Sequence, residues 1–144
     1  MECIILAGGF GTRLGKLTKK TPKPMLPINK IPFIELLIKK ITKLDMITKI
    51  IISTHYKSQI IKNYFKAKSY PIKIVEEKKP LGTGGAIKFC LTKCKSKKIL
   101  ILNGDTYLNL DFKRFIEKNT KIKKNTMLLV KSKNASRYGK VYFK

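Results

Sequence analysis

The chain has 144 residues, 43% of them apolar. That is enough for one domain with a real core, and no apolar run approaches the ~20 residues of a membrane-spanning helix. The net charge of +25 favours anionic ligands, but the basic residues are nearly all lysine and are spread along the chain. The three arginines, Arg13, Arg114 and Arg137, are too few for the usual base-reading surface, so specific nucleic-acid recognition is not expected. The acidic start, Met1-Glu2, and an apolar run that leads straight into glycines argue against a secretory leader. Three sparse cysteines, Cys3, Cys90 and Cys94, make no disulfide framework, and with His55 as the only histidine a zinc site lacks ligands. The cytoplasm is the expected location.

Strand-like and helix-like runs alternate along the chain. Cys3 to Leu6 predicts a short buried strand. Phe33 to Leu44 predicts a helix, with Phe33, Leu36, Leu37, Ile41 and Leu44 on one face. Lys49 to Ser53 is a second strand, Gln59 to Phe65 a short helix and Ile72 to Val75 a third strand. Gly84 to Cys94 is a helix with a glycine-rich start, and Lys98 to Leu102 a fourth, central strand. Phe112 to Lys118 is a helix capped by Asp111. Thr126 to Val130 is another strand, and Lys140 to Phe143 begins one more as the chain stops. Continuous Ile/Leu/Val strands between helices imply a mostly parallel sheet covered on both faces, with ligands at the strands' carboxyl ends.

Three special segments follow strand ends. The first is Gly8-Gly9-Phe10-Gly11-Thr12-Arg13, with Lys23 between two prolines further on. Glycines let the backbone approach a ligand closely, successive N–H groups make an anion-binding concavity, and the two cations offset phosphate charge. The dinucleotide fingerprint fails because Leu14 stands where its third glycine belongs. The P-loop fails because Phe10 and Leu17 occupy its glycine and hydroxyl positions. The second segment is Leu81-Gly82-Thr83-Gly84-Gly85, opening a helix. The third is Asn103-Gly104-Asp105, where a lone carboxylate beside a glycine suits Mg²⁺ shared with substrate phosphates. Glu77 reads equally as an acceptor for a base or a solvated residue beside Lys78 and Lys79. His55 has no partner visible in the sequence. Arg137-Tyr138-Gly139 reads equally as a substrate contact or a turn.

Together, Leu6 to Leu14, Pro22-Lys23-Pro24-Met25, Pro80 to Ala86, Asn103-Gly104-Asp105-Thr106 and Arg137-Tyr138-Gly139 resemble the nucleotidyltransferases that activate sugar 1-phosphates. Within that family the Pro-Lys-Pro-Met and Leu-Gly-Thr-Gly-Gly-Ala segments are most similar to the guanylyltransferases of D-glycero-D-manno-heptose 1-phosphate. Mannose-1-phosphate guanylyltransferases and glucose-1-phosphate thymidylyltransferases are similar families nearby. The resemblance implies a Rossmann-like three-layer α/β/α fold with a mostly parallel central sheet, of the nucleotide-diphospho-sugar transferase type. Residues 1–144 would be one domain, comprising the nucleotide half and the start of the sugar half, truncated at the C-terminus.

The implied reaction joins an NTP, GTP favoured, to a heptose or hexose 1-phosphate, giving an NDP-sugar and pyrophosphate. Arg13 and Lys23 would be catalytic, with Arg13 on the leaving phosphates and Lys23 at the reacting centre. Leu6, Ala7, Gly8, Gly9, Gly11, Thr12, Glu77, Gly82 and Thr83 would bind the nucleotide. Asp105 would hold Mg²⁺. Asn103, Gly104, Tyr138 and Gly139 would meet the sugar phosphate. No membrane or nucleic-acid partner is implied, and self-association stays open. The alternative is a truncated, non-catalytic domain that binds a nucleotide or sugar nucleotide.

Overall fold

The first strand, β1, runs from Glu2 to Ala7 and buries Cys3, Ile4 and Ile5 completely. A strand buried on both pleats must lie inside a sheet covered on both faces, and the computed structural model of the chain places it there. It describes residues 1–122, 124–131 and 141–142. Residues Met1–Asn109 form one compact unit and Leu110–Lys144 a second.

In the first unit, β1 is followed by a 3₁₀ turn at Thr12–Leu14, helix α1 (Lys16–Lys20) and a second 3₁₀ turn at Lys23–Met25. A small antiparallel hairpin then pairs β2 (Pro27–Ile28) with β3 (Ile31–Pro32). Next come α2 (Phe33–Ile41), β4 (Lys49–Thr54), α3 (Ser58–Lys66), β5 (Ile72–Glu76), α4 (Gly82–Leu91) and β6 (Ile99–Asn103). The main sheet has the order β5-β4-β1-β6 and is parallel at every pairing. Leu6 stands opposite Ser53 on one side and Asn103 on the other, so three strands finish at nearly the same level.

Helices cover both faces. On one, Ile4, Ile51 and Val75 pack with Cys90 of α4, and Leu6, Phe89 and Ile99 close the cluster. On the other, the Thr54 hydroxyl meets Ser58, the first residue of α3, at 2.8 Å. Ile5, Ile50, Ile52, Ile34, Ile38 and Ile61 are all fully buried. Burying a side chain of this size contributes about 1.5–3 kcal/mol, so a sheet of isoleucines supplies most of the drive to fold.

A buried carboxylate ties α2 to α3. Glu35 accepts hydrogen bonds from the hydroxyl of Tyr64, from Lys68 at 2.9 Å and from the hydroxyl of Tyr70 at 3.0 Å. Burial alone would raise its pKa, but those three donors outweigh it and hold the carboxyl down at about 2. At the amino end of the sheet Glu2 does similar work, accepting from the backbone N–H groups of Lys95 and Ser96 at 2.5 and 2.7 Å. The Ser96 N–H, followed by that of Lys95, lowers its pKa against the opposing effect of burial.

In the second unit, Asp111 caps α5 (Phe112–Thr120) by accepting from the Arg114 N–H at 3.0 Å. The expected strand from Thr126 to Val130 is absent: residues 125–131 have no regular structure. An extended segment needs a neighbouring ladder for its backbone groups, and among the described residues none pairs with it. Half of the expected strand at Lys140 to Phe143 falls outside the described residues, and residues 141 and 142 have no regular structure. Two helices are also shorter or shifted. The one expected to reach Leu44 ends at Ile41, and the one expected at Gly84 to Cys94 runs from Gly82 to Leu91.

Candidate active site

The loop after β1 turns back on itself through two backbone conformations that favour glycine. Gly11 is left-handed at φ 66°, and Gly15 has φ 53° with ψ −119°. The turn between them is closed by Leu14 N–H to Gly11 O at 3.0 Å and Gly15 N–H to Thr12 O at 3.1 Å. A Cβ on Gly11 would lie 2.9 Å from the Thr18 methyl and 3.1 Å from Lys23 Cβ. The tight turn therefore brings the glycine loop directly against the Pro-Lys-Pro segment. Gly9, Thr12 and Arg13 are exposed on its outer side.

Lys23 is fixed by its flanks. Pro22 and Pro24 are buried, and a 3₁₀ turn is closed by Met25 N–H to Pro22 O at 2.8 Å and Leu26 N–H to Lys23 O at 3.1 Å. The lysine backbone is therefore anchored while its amine reaches outward to Asp105 Oδ2 at 2.7 Å. Both side chains stay more than a third exposed, at 38% and 39%. A half-exposed pair of this kind is worth about 1 kcal/mol or less. Beside it lies a groove of about 160 Å³, mostly apolar, bounded by Leu14, Leu26, Ile28 and Phe33.

Asp105 reaches the same mouth from the end of β6. Gly104 donates to Leu6 O at 2.8 Å, and a Cβ there would sit 2.8 Å from that oxygen. Only glycine lets β6 press so closely on β1, so buried Gly104 sets where Asp105 emerges, with exposed Asn103 just before it. Among the described residues no group of three acidic, histidine or cysteine side chains could hold a metal alone. One half-exposed carboxylate fits Mg²⁺ shared with a ligand's phosphates.

On the other side of β1, Glu77 is buried rather than solvated. Its Oε1 accepts from Ser53 at 2.7 Å and its Oε2 from the Leu81 N–H at 3.1 Å. Ionised, it has lone pairs left over. A Cβ on Gly8 would stand 2.9 Å from Glu77 Oε1, so the carboxylate lies against bare backbone of the glycine loop. Partly buried Leu6 is on the same pleat as Ser53, whereas Ala7 is buried in the opposite face. Gly82 (φ 68°) and Thr83 are exposed at the start of α4, linked to Glu77 through Leu81. His55 does have a partner: its Nδ1 is 2.8 Å from Glu77 O, and its ring meets Phe10 edge-on.

The described fold thus gathers Gly8, Gly11, Lys23, Glu77, Gly104 and Asp105 at one end of the sheet. Tyr138 and Gly139, with Arg137, lie outside the described residues. Ser53, Thr18 and Tyr56 escaped the sequence reading. Their only signal was position, just before or just after the segments that drew attention. A larger groove of about 470 Å³ along α3 and β5 involves none of the strand-end loops, and its Lys62 and Lys68 are already paired with Glu76 and Glu35.

The nucleotidyl transferase family model matches residues 2–144. The D-glycero-alpha-D-manno-heptose 1-phosphate guanylyltransferase of Campylobacter jejuni is 42% identical over 143 residues, which is 98% of this chain and 62% of that protein. The protein of the same name from Aneurinibacillus thermoaerophilus is 39% identical over 144 residues, again 62% of its length. The crystal structure of HddC from Yersinia pseudotuberculosis complexed with GMP-PN superposes with a TM-score of 0.73 at 37% identity, covering 82% of this chain and 53% of that one. The chain therefore spans less than two thirds of the length of these relatives. Among the described residues, no helix is long and apolar enough to cross a membrane.

Proposed function

The chain belongs to the nucleotidyl transferase family, and we propose that it condenses an NTP, preferentially GTP, with a heptose or hexose 1-phosphate to give an NDP-sugar and pyrophosphate. The observation that carries this reading is the Lys23–Asp105 pair, held at 2.7 Å and half-exposed beside the Gly8–Gly11 turn. A cation and an anion so placed are ready to exchange each other for a phosphate and its counter-ion. In the proposed step, a phosphate oxygen of the sugar 1-phosphate forms a new bond to the α-phosphorus. The bond from that phosphorus to the bridging oxygen of pyrophosphate breaks. The nucleophile is already an anion, so no general base is needed, and catalysis is positioning plus charge stabilisation.

Gly8, Gly9, Gly11 and Thr12 would hold the phosphates, Arg13 would steady the leaving pyrophosphate, and Lys23 would leave Asp105 for the reacting phosphate. Mg²⁺, shared by Asp105 and the nucleotide, would neutralise phosphate charge. The base would lie between Leu6, Ala7, Glu77, Gly82 and Thr83. A buried carboxylate that only accepts hydrogen bonds suits guanine, whose edge offers an N–H and an NH₂ together. The guanylyltransferase relatives and the GMP-PN complex support the same preference. Asn103, Gly104, Tyr138 and Gly139 are assigned to the sugar phosphate. Free Cys3, Cys90 and Cys94 support a reducing, cytoplasmic setting. Self-association is proposed only as a property to measure by solution mass.

The test is Mg²⁺-dependent pyrophosphate release with each NTP paired in turn with heptose, mannose and glucose 1-phosphate. Release with GTP and one sugar, lost in Lys23→Ala, is the expected result; release with no pair overturns transfer by this chain. The second reading, nucleotide binding without transfer, is favoured by the 62% share of the relatives that the chain spans. GTP binding without release would establish it.

A further inference from the structure

We propose that Tyr56 and Thr18 are positioning residues that hold the Gly8–Gly15 loop in its phosphate-accepting shape. The proposal rests on the nucleotide reading above and deepens it.

Tyr56 follows β4 and touches the loop at Gly8 and Phe10 and, past its far end, α1 at Thr18. Its backbone N–H lies 3.4 Å from Gly8 O, a long contact. Its ring packs against Phe10 with centroids 5.4 Å apart. Its hydroxyl donates to Thr18 O at 3.0 Å. Thr18 is itself buried, in a helix otherwise exposed. Its hydroxyl lies 3.0 Å from Gly11 O and 3.2 Å from Gly15 O, and its single proton serves one of them at a time. Its methyl group fills the space beside Gly11 that a Cβ would need.

The chemical consequence concerns carbonyls. An anion-binding loop works by presenting N–H groups, and any carbonyl turned toward the anion repels it. The carbonyls of Gly11 and Gly15 already accept the N–H groups of Leu14 and Thr18, and the buried Thr18 hydroxyl adds a second inward partner, which turns them away from a ligand in the loop. Tyr56 then ties Thr18 to the turn that follows β4. The left-handed Gly11 and the positive-φ Gly15 are conformations that glycines of a free loop would share with many others, and the two side chains select them in advance of binding. That lowers the ordering cost a ligand must offset.

The experiment uses the full chain and the variants Tyr56→Phe, Thr18→Val and Thr18→Ser. Amide hydrogen exchange is measured without ligand, and affinity is measured for Mg²⁺ with GTP and for GMP, which lacks the two outer phosphates. In Tyr56→Phe and Thr18→Val, exchange at residues 9–15 should rise about tenfold. GTP affinity should fall about tenfold, with GMP affinity changed less than about twofold. Thr18→Ser, which keeps the hydroxyl, should restore GTP affinity to within about twofold of the parent. Unchanged exchange in both loss variants, or equal losses for GTP and GMP, would overturn the proposal. If the parent binds neither nucleotide, the nucleotide reading and the phosphate-accepting role fall together, while ligand-free exchange still decides whether the brace exists.

Discussion

Among the carboxylates that pair with a lysine, Glu35 and Asp105 serve different ends. Glu35 is buried, accepts from Tyr64, Lys68 and Tyr70, and sits between two helices of one face. Asp105 is half-exposed, pairs with Lys23 and sits at the carboxyl end of β6. Around Glu35 every donor is part of the protein, and water is largely excluded. Removing Glu35 leaves three part-buried donors without their acceptor, and removing a donor leaves a buried carboxylate less satisfied; both are costly. Around Asp105 water already competes, so the pair contributes little to stability and parts readily for a ligand. The same two residue types become a staple in one place and an exchangeable pair in the other, and burial makes the difference.

The comparison breaks if the exposed pair proves to be the structural one. Lys23→Ala should reduce pyrophosphate release by about 100- to 1000-fold, the usual cost of losing one aimed group at a reacting phosphate or carbonyl. Its thermal midpoint should stay within a few degrees of the parent. A large loss of stability would show that Lys23 holds the fold.

Next in size is Glu35→Ala, expected to cost about 3 kcal/mol in chemical denaturation because three donors lose their acceptor. Nucleotide affinity, measured where the variant is still folded, should not change; a weakened affinity would place Glu35 in the binding machinery.

The acid limb of stability sharpens the same contrast. The Glu35 pKa is about 2 in the folded chain, below its ordinary value of 4.5. A depressed carboxyl contributes stability that is fully present above its unfolded pKa and is lost as pH falls toward its folded one. Between about pH 4.5 and 2 the parent should lose about 3 kcal/mol through this group. Glu35→Gln should flatten that part of the curve; an unaltered slope would assign acid unfolding to other carboxylates, Glu2 first.

The smallest effect is the most specific. Asp105→Asn should remove the response of GTP binding to Mg²⁺ while changing the unfolding free energy by less than about 1 kcal/mol. With its partner neutralised, Lys23 should bind GTP in the absence of Mg²⁺ about two- to fivefold more tightly than in the parent. A variant that still responds to Mg²⁺ as the parent does would remove Asp105 from the metal site.

What was legible in the chain was whatever depends on local pattern. Runs such as Cys3 to Leu6 and Lys49 to Ser53 predicted the parallel strands, because a strand buried on both pleats must be apolar throughout. Gly11 and the Pro-Lys-Pro segment announced a tight turn and an anchored lysine, because each residue type restricts its own backbone. Asp111 as a helix cap was readable for the same reason. The strand expected at Thr126 to Val130 failed because β-structure needs a partner, and a partner is not a local property.

Pairings across the chain were beyond that reach. Lys23 and Asp105 are 82 positions apart, and Tyr56 lies 38 positions from the carbonyl it holds. The sequence named Glu77 but left its state open; burial against Ser53 and Leu81 was settled by the sheet. His55 looked partnerless because its partner is a backbone carbonyl, which every residue has and no residue type advertises. By itself, then, the sequence determined the alternation of strands and helices, the glycine turn and the inventory of charged groups, all of which follow from each residue's own conformational and chemical preferences. Only the tertiary structure decided which charges meet, which are buried and which stay free to be exchanged, because distance and solvent exposure belong to the packed chain and not to any residue within it.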